Sequence, residues 1–343
     1  MQQNITDGAF NLEAPANPPT NSSQSHAEVY PVLTLPPEIT SQIFLQSLPN
    51  LPDFPPLYGP GSPLQLCQIC RQWSAIALSL PLLWSAVRMA ITSHREAPTM
   101  VELFKTWLSR SGDDSPLSLS IRSFADTHAL SFFLRAPFAA LAPRIEYLEL
   151  AMPCDPVYMI RCDMPIIRRL TLGVTGVPFW GEPSLRLFDR GAPLLTHVTL
   201  ERGHNHSGCR IRLPWAQLTH LDAQCLSLAE CAQILWNAKR LAHCTFGIRA
   251  PKSDGPIDIP LVPPHDWLQH LVLRPGPDQS PDRDLWRLLD KLTLPALRTL
   301  EVFDLGLQPD SLQDFISRSR CTLDTLRITE GARISEMTAL GSQ

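Results

Sequence analysis

One seven-residue phrase recurs between residues 144 and 328: RIEYLEL (144–150), IIRRLTL (166–172), LLTHVTL (194–200), QLTHLDA (217–223), RLAHCTF (240–246), WLQHLVL (267–273), ALRTLEV (296–302) and TLDTLRI (322–328). The second residues of the eight phrases, at 145, 167, 195, 218, 241, 268, 297 and 323, lie 22 to 29 residues apart. Each phrase ends in alternating apolar and polar residues, the period of a strand with one buried face. The spacing leaves room for a return segment between strands, so neighbouring strands can run parallel. One such unit cannot bury its own hydrophobic edge, so the eight must stack into a continuous core.

The phrase and its period are similar to the L-x-x-L-x-L of leucine-rich repeats, in which each turn supplies one short parallel strand and a returning helix or irregular segment. This resemblance implies an α/β solenoid over residues 116–330 with a parallel strand sheet on its concave face. The intervening sequence agrees. Ser227 and Glu230 have capping-box spacing ahead of an apolar stripe at Leu228, Cys231, Ile234 and Leu235, and a second stripe runs through Leu285, Leu288, Leu289 and Leu292. PLSLSIR (116–122) reads as an additional, poorly conforming first strand. The asparagine or cysteine that closes the strand in regular repeats is mostly absent, so these turns resemble irregular ones.

Alternation within each phrase sets one group of side chains on the outer side of the sheet, and Tyr147, Arg169, His197, His220, His243, His270, Arg274 and Arg327 are the expected target-contacting residues among them. Four of these, His197, His220, His243 and His270, occupy the same position in successive phrases. Neighbouring strands lie about 4.8 Å apart, so the imidazoles would form a ladder. Such a ladder can bind a metal or make ligand binding depend on pH. The plainer reading is that histidine is merely tolerated at an exposed, duplicated strand position.

The chain has 34 prolines in 343 residues, about twice average usage, which favours many short elements joined by stiff turns. Residues 1–30 hold almost nothing to bury and are expected to be a disordered tail. From LPPEITSQIF onward, Leu35, Ile39, Ile43 and Phe44 fall on one helical face behind Pro36 and Pro37. The stretch PNLPDFPPLYGPGSP (49–63) is a loop. Leu66, Ile69, Cys70, Trp73, Ala77 and Leu80 then repeat at helical spacing up to Pro81, and Leu83 and Trp84 follow as an apolar hook. A linker helix is expected over 91–115, where Thr99 and Glu102 have capping-box spacing and Val101, Phe104, Trp107 and Leu108 form the apolar face. Residues 331–343 are expected to be a C-terminal tail.

The first helical region resembles the F-box, the short helical module that binds a Skp-family adaptor in cullin-based ubiquitin ligases. The resemblance, in its fungal form, rests on the LPPEI opening at Leu35–Ile39, the Ile43–Phe44 pair, Gln68-Ile69-Cys70-Arg71 followed by Trp73, and the LPLLW ending at Leu80–Trp84. It covers residues 31–90. The long proline-rich loop departs from the minimal module. The resemblance implies an adaptor-binding face of Leu35, Pro36, Ile39, Ile43, Phe44, Leu66, Ile69, Cys70, Trp73, Leu83 and Trp84, with a cullin reached through the adaptor and a target protein held by the repeats. The function it implies is that of a substrate-recognition subunit without catalytic residues, the alternative being a repeat scaffold that transfers no ubiquitin.

Other classes find little support. A net charge of −4 and a pI near 6.2 lack the basic footprint of a nucleic-acid-binding protein. No apolar run is long enough for a membrane span and the N-terminus lacks a secretory pattern, so a cytoplasmic or nuclear protein is expected. Nine scattered cysteines argue against a disulfide framework. The C-x-x-C at Cys67 and Cys70 has no second pair, and His204, His206 and Cys209 lack a fourth ligand, so no metal or cofactor is expected. The sequons at Asn4, Asn21 and Asn205 are chance matches in this setting. Lysines are few (Lys105, Lys239, Lys252 and Lys291), and none precedes position 105. That is either an arginine-biased composition or a scarcity of acceptor amines near the adaptor-binding end. No G-x-S-x-G, H-E-x-x-H, Walker or dinucleotide motif is present.

Overall fold

The eight phrases become eight strands of one sheet, and two more strands precede them. In the computed structural model, which describes residues 34–124, 128–176, 184–188, 191–201, 210–249, 259–276, 286–303, 309–330 and 333–338, the strands are β1 (Ala86–Ile91), β2 (Leu117–Ser123), β3 (Ile145–Pro153), β4 (Arg169–Thr175), β5 (Ser184–Arg186), β6 (His197–Leu200), β7 (Arg210–Arg212), β8 (His220–Leu226), β9 (His243–Ile248), β10 (His270–Pro275), β11 (Thr299–Phe303), β12 (Thr325–Glu330) and β13 (Arg333–Thr338). The main sheet has the order β1-β2-β3-β4-β6-β8-β9-β10-β11-β12-β13, and β5 and β7 form a separate parallel pair. Every neighbouring pair from β1 to β12 is parallel. The sheet is open.

A single row of side chains shows how the register is fixed. Val87, Leu119, Leu148, Leu170, Val198, Leu221, Cys244, Leu271, Leu300 and Leu326 are aligned across ten strands, and all but the last are buried. A slip of one residue would turn the whole row to the other face. Burying each fully covered valine and leucine of this row contributes about 1.5–3 kcal/mol, so the pattern specifies one register.

Helices cover that face. The helix α5 (Leu228–Asn237) starts at Ser227, whose hydroxyl accepts from the Glu230 amide while the Glu230 carboxylate accepts from the Ser227 amide. This is the capping box anticipated from the sequence, and Leu228, Cys231, Ile234 and Leu235 are buried below it. Leu288, Leu289 and Leu292 of the second stripe are also buried; Leu285 lies outside the described residues.

Four sequence expectations need correction. Residues 86–90, read as the end of a helical module, belong to β1, because Val87, Met89 and Ile91 alternate with Arg88 and Ala90 and only the first set is buried. The expected linker helix is α4 (Ala97–Ser109), and it is part of the core: Ala97, Met100, Val101, Phe104, Trp107 and Leu108 are buried. Its start is not a Thr99 and Glu102 capping box. The helix begins two residues earlier, the Glu96 carboxylate accepts from the hydroxyl of Thr92 and from the amides of Thr92 and Ser93, and Glu102 pairs with Lys105. The expected C-terminal tail 331–343 contains β13, which pairs antiparallel with β12; the rest of it, like the 1–30 tail, lies outside the described residues.

The region after Pro37 forms helices α1 (Pro37–Gln46), α2 (Leu66–Ile69) and α3 (Arg71–Leu78) and a 3₁₀ turn at Pro81–Trp84. Pro37–Gln343 is one compact unit, with one hydrophobic core running from Phe44 to Cys321. Trp84 ties the helices to the sheet. Its indole donates to the Ala77 carbonyl at 2.8 Å, its own carbonyl accepts from the Trp107 indole at 3.0 Å, and the two rings meet edge to face at 4.9 Å. Both polar handles are satisfied, so the large apolar area is buried without an orphaned N–H. Replacing Trp84 by alanine should cost about 3–5 kcal/mol of unfolding free energy. Urea denaturation of the full chain measures this, and a loss below about 1 kcal/mol would contradict the anchor.

Candidate docking surfaces

The helices present two faces, and only one is open. On α1, Thr40 and Phe44 face the core, Phe44 being 1% exposed, whereas Ile39 is 49% exposed and Ile43 nearly as much. On α3, Ile76 and Ala77 are buried and Leu78 is exposed; in the following turn Leu83 and Trp84 are buried and Leu82 is exposed. Ile69 of α2 is 58% exposed. Three residues of the expected adaptor-binding face are therefore unavailable: Phe44, Leu83 and Trp84 are core residues. Helical periodicity marked Phe44 as apolar-faced, and Leu83 and Trp84 read as an apolar hook, but neither signal says which neighbour covers the side chain.

The other residues of that face divide further. Leu35, Leu66, Cys70 and Trp73 are half-buried and Pro36 is exposed. Trp73 packs edge to face on Phe44 at 5.0 Å. Cys70 interrupts the expected single helix: its extended backbone separates α2 from α3, and its sulfur accepts from the Trp73 amide at 3.4 Å. A shallow groove of about 500 Å³ lies along Cys67, Gln68, Cys70, Arg71, Ser74, Ala75 and Leu78. Burial raises the Cys67 pKa, which favours its thiol form. Leu78 and Leu82 were missed, although each lies one helical step from a residue already singled out.

The open face of the sheet has its own cover. The Arg88 amide donates to the Pro55 carbonyl at 3.0 Å, and Pro56 forms a bridge with Arg88, so the proline-rich loop runs along the free edge of β1. Phe54 from this loop is buried 5.2 Å from the Tyr147 ring, with the Arg88 guanidinium over it at 5.5 Å. Tyr147 is consequently buried. It cannot meet a target, contrary to the expectation from strand alternation. Phe54 carries no periodic signal, which is why the loop's role was not legible.

Next to it is a charged network that also escaped sequence reading. Arg122 of β2 pairs with the buried Glu149 of β3 and, at 3.1 Å, with Glu201 beyond the end of β6. Glu201 reaches Arg122 over β4, where Gly173 makes room: a Cβ there would lie 3.0 Å from the Glu201 carboxylate. Arg327 is exposed and pairs with Glu301 at 3.0 Å, and Arg274 is half-buried.

The histidine column forms as the alternation implied. His197, His220, His243 and His270 are in register on β6, β8, β9 and β10, continued by Arg169 on one side and Thr299 on the other. Their rings stack with centroids 4.0, 4.4 and 4.3 Å apart and planes within 10° of parallel. All four are half-buried. The Thr219 hydroxyl lies 2.9 Å from His220 Nδ1 and 3.3 Å from the Thr196 carbonyl, and the Thr196 hydroxyl lies 2.9 Å from His197 Nδ1 and 3.5 Å from the Arg168 carbonyl. Burial lowers the pKa of His197, His220 and His243; neighbouring imidazoles contribute at all three, with Arg169 acting on His197 and His220, and His220 is pushed down to about 4.

Among the described residues, no three His, Cys, Asp or Glu side chains converge on a metal position, and no helix is long and apolar enough to cross a membrane. The His204, His206 and Cys209 cluster lies outside the described residues. No protein-family model and no curated protein matches the chain.

The ladder makes folding sensitive to acid in a definite direction. An unfolded histidine takes up its proton near pH 6.5, whereas folded His220 resists until about pH 4. Stability is therefore complete above about pH 6.5 and falls as the pH drops toward 4. The thermal midpoint of the wild type should fall more steeply between pH 7 and 5 than that of His220→Asn; equal slopes would contradict the account.

Proposed function

We propose that the chain is the substrate-recognition subunit of a Skp/cullin/F-box ubiquitin ligase. Its first helices dock on a Skp-family adaptor as an F-box module, and the strands that follow form a leucine-rich-repeat-like solenoid that holds a target protein. The observation that carries this reading is the exposure of Ile39 and Ile43 on α1, whose opposite side is fixed in the core by Phe44, with Ile69 exposed on the neighbouring α2. Apolar side chains on helices of this kind suit a helical partner laid against them.

The docking residues are revised accordingly. Ile39, Ile43, Ile69, Leu78 and Leu82 take the place of Phe44, Leu83 and Trp84, with Leu66 and Trp73 at the margins. Recruitment through a cullin would bring the target to a ubiquitin-loaded enzyme, so the contribution to rate is proximity rather than side-chain chemistry. The sheet face from Arg169 to His270 is the proposed target surface, since Phe54 closes the face around Tyr147.

Co-purification with a Skp-family adaptor tests the docking face. The wild type should form a one-to-one complex, and Ile39→Asp with Ile69→Asp should weaken it at least tenfold. Both positions are exposed, so the far-ultraviolet circular dichroism and thermal midpoint should hardly change. Failure of the wild type to bind would remove the ligase reading. Binding of the adaptor without recruitment of a cullin would leave a repeat scaffold instead.

A further inference from the structure

We infer that the column His197–His220–His243–His270 binds an imidazole-preferring divalent transition-metal ion, two adjacent rings giving Nε2 ligands to each ion and water filling the remaining positions. Packing does not demand histidine here. The same column carries Arg169 on one side and Thr299 and Thr325 on the other, so the strand position accepts other side chains. Four successive histidines also carry an electrostatic penalty on acidification that threonine would avoid.

The hydrogen bonds prepare the rings for this role. The Thr219 and Thr196 hydroxyls each hydrogen-bond the adjacent Nδ1 at 2.9 Å, so Nε2 is the ring nitrogen that this bond does not use. A hydroxyl or carbonyl on the second ring nitrogen is the usual device that orients a metal-bound histidine. A neutral ring is the form that binds metal.

Geometry sets the stoichiometry. Zinc or nickel takes an imidazole nitrogen at about 2.0–2.1 Å in the plane of the ring, so two neighbouring rings stacked 4.0–4.4 Å apart share one ion by giving up their stack and tilting toward each other through χ1 and χ2. Parallel rings on a straight column do not converge in threes, so each ion receives two. Imidazole selects zinc, nickel and copper over magnesium or calcium.

Nickel tests this without oxidising the free cysteines. Isothermal titration of Ni²⁺ into the full chain is compared with His204→Ser/His206→Ser/Cys209→Ser, which silences the loop cluster, and with His220→Asn/His243→Asn in that background. The loop-silenced protein should bind as the wild type does, and the ladder double variant should bind at least tenfold more weakly with its thermal midpoint at pH 7.5 retained. Thr219→Val should cost about tenfold in affinity while keeping every ligand. In histidine-labelled protein Ni²⁺ should broaden the ring resonances of the four ladder histidines before those of His94 and His128. Undiminished binding in the ladder variant, or binding that disappears with the loop cluster, overturns the inference.

Discussion

The pairing of Trp84 with Trp107 is the contact on which the rest of the molecule depends. Trp107 belongs to the first helix that packs on the sheet, and Trp84 ends the helices that precede it; the Trp107 indole donates across that junction to the Trp84 carbonyl, while the Trp84 indole donates back to Ala77 of α3. Without it, Phe44, Ile76, Ala77 and Leu83 would lose the surface they pack on, and α1 to α3 would be an amphipathic segment of about fifty residues, too small to bury much of its apolar area alone. Joined to β1, these helices become the end of a continuous core.

That arrangement separates two kinds of apolar residue that sequence alone merges. Phe44, Leu83 and Trp84 stabilise the fold, and Ile39, Ile43 and Ile69 remain outside. A docking surface is most useful when its own side chains need not reorganise, because ordering them on binding costs affinity. Here the inward-facing residues hold the helices while the outward-facing ones stay open. The proline-rich loop works similarly at the other face: by pairing with β1 and placing Phe54 on Tyr147, it covers the exposed edge of the sheet and confines the open face to the histidine side.

Much of this was legible in the sequence where a period existed. The eight phrases defined eight strands and their register, the column of histidines included, and Ser227 with Glu230 defined a helix start. What was not legible lacked a period or had two competing ones. Val87, Met89 and Ile91 alternate for only six residues directly after a helical hook, so β1 was absorbed into the helices. Phe54 sits among prolines. The span of Glu201 over Gly173 to Arg122 joins residues 79 apart, a pairing no local pattern encodes. For the candidate docking face the limit was different: spacing identified the amphipathic helices, but only the packed structure tells the inward stripe from the outward one.

Native-state hydrogen exchange across a range of low denaturant concentrations tests the central claim, that the helices and the sheet are one cooperative body, most directly. If Trp84 and Trp107 couple them, the slowest amides of α3 should open with the same free energy and denaturant dependence as those of β1 and β2. If α3 opens several kcal/mol below the sheet, with a small denaturant dependence of its own, the helices form a separately folding attachment and the account of a rigidly presented docking face is wrong.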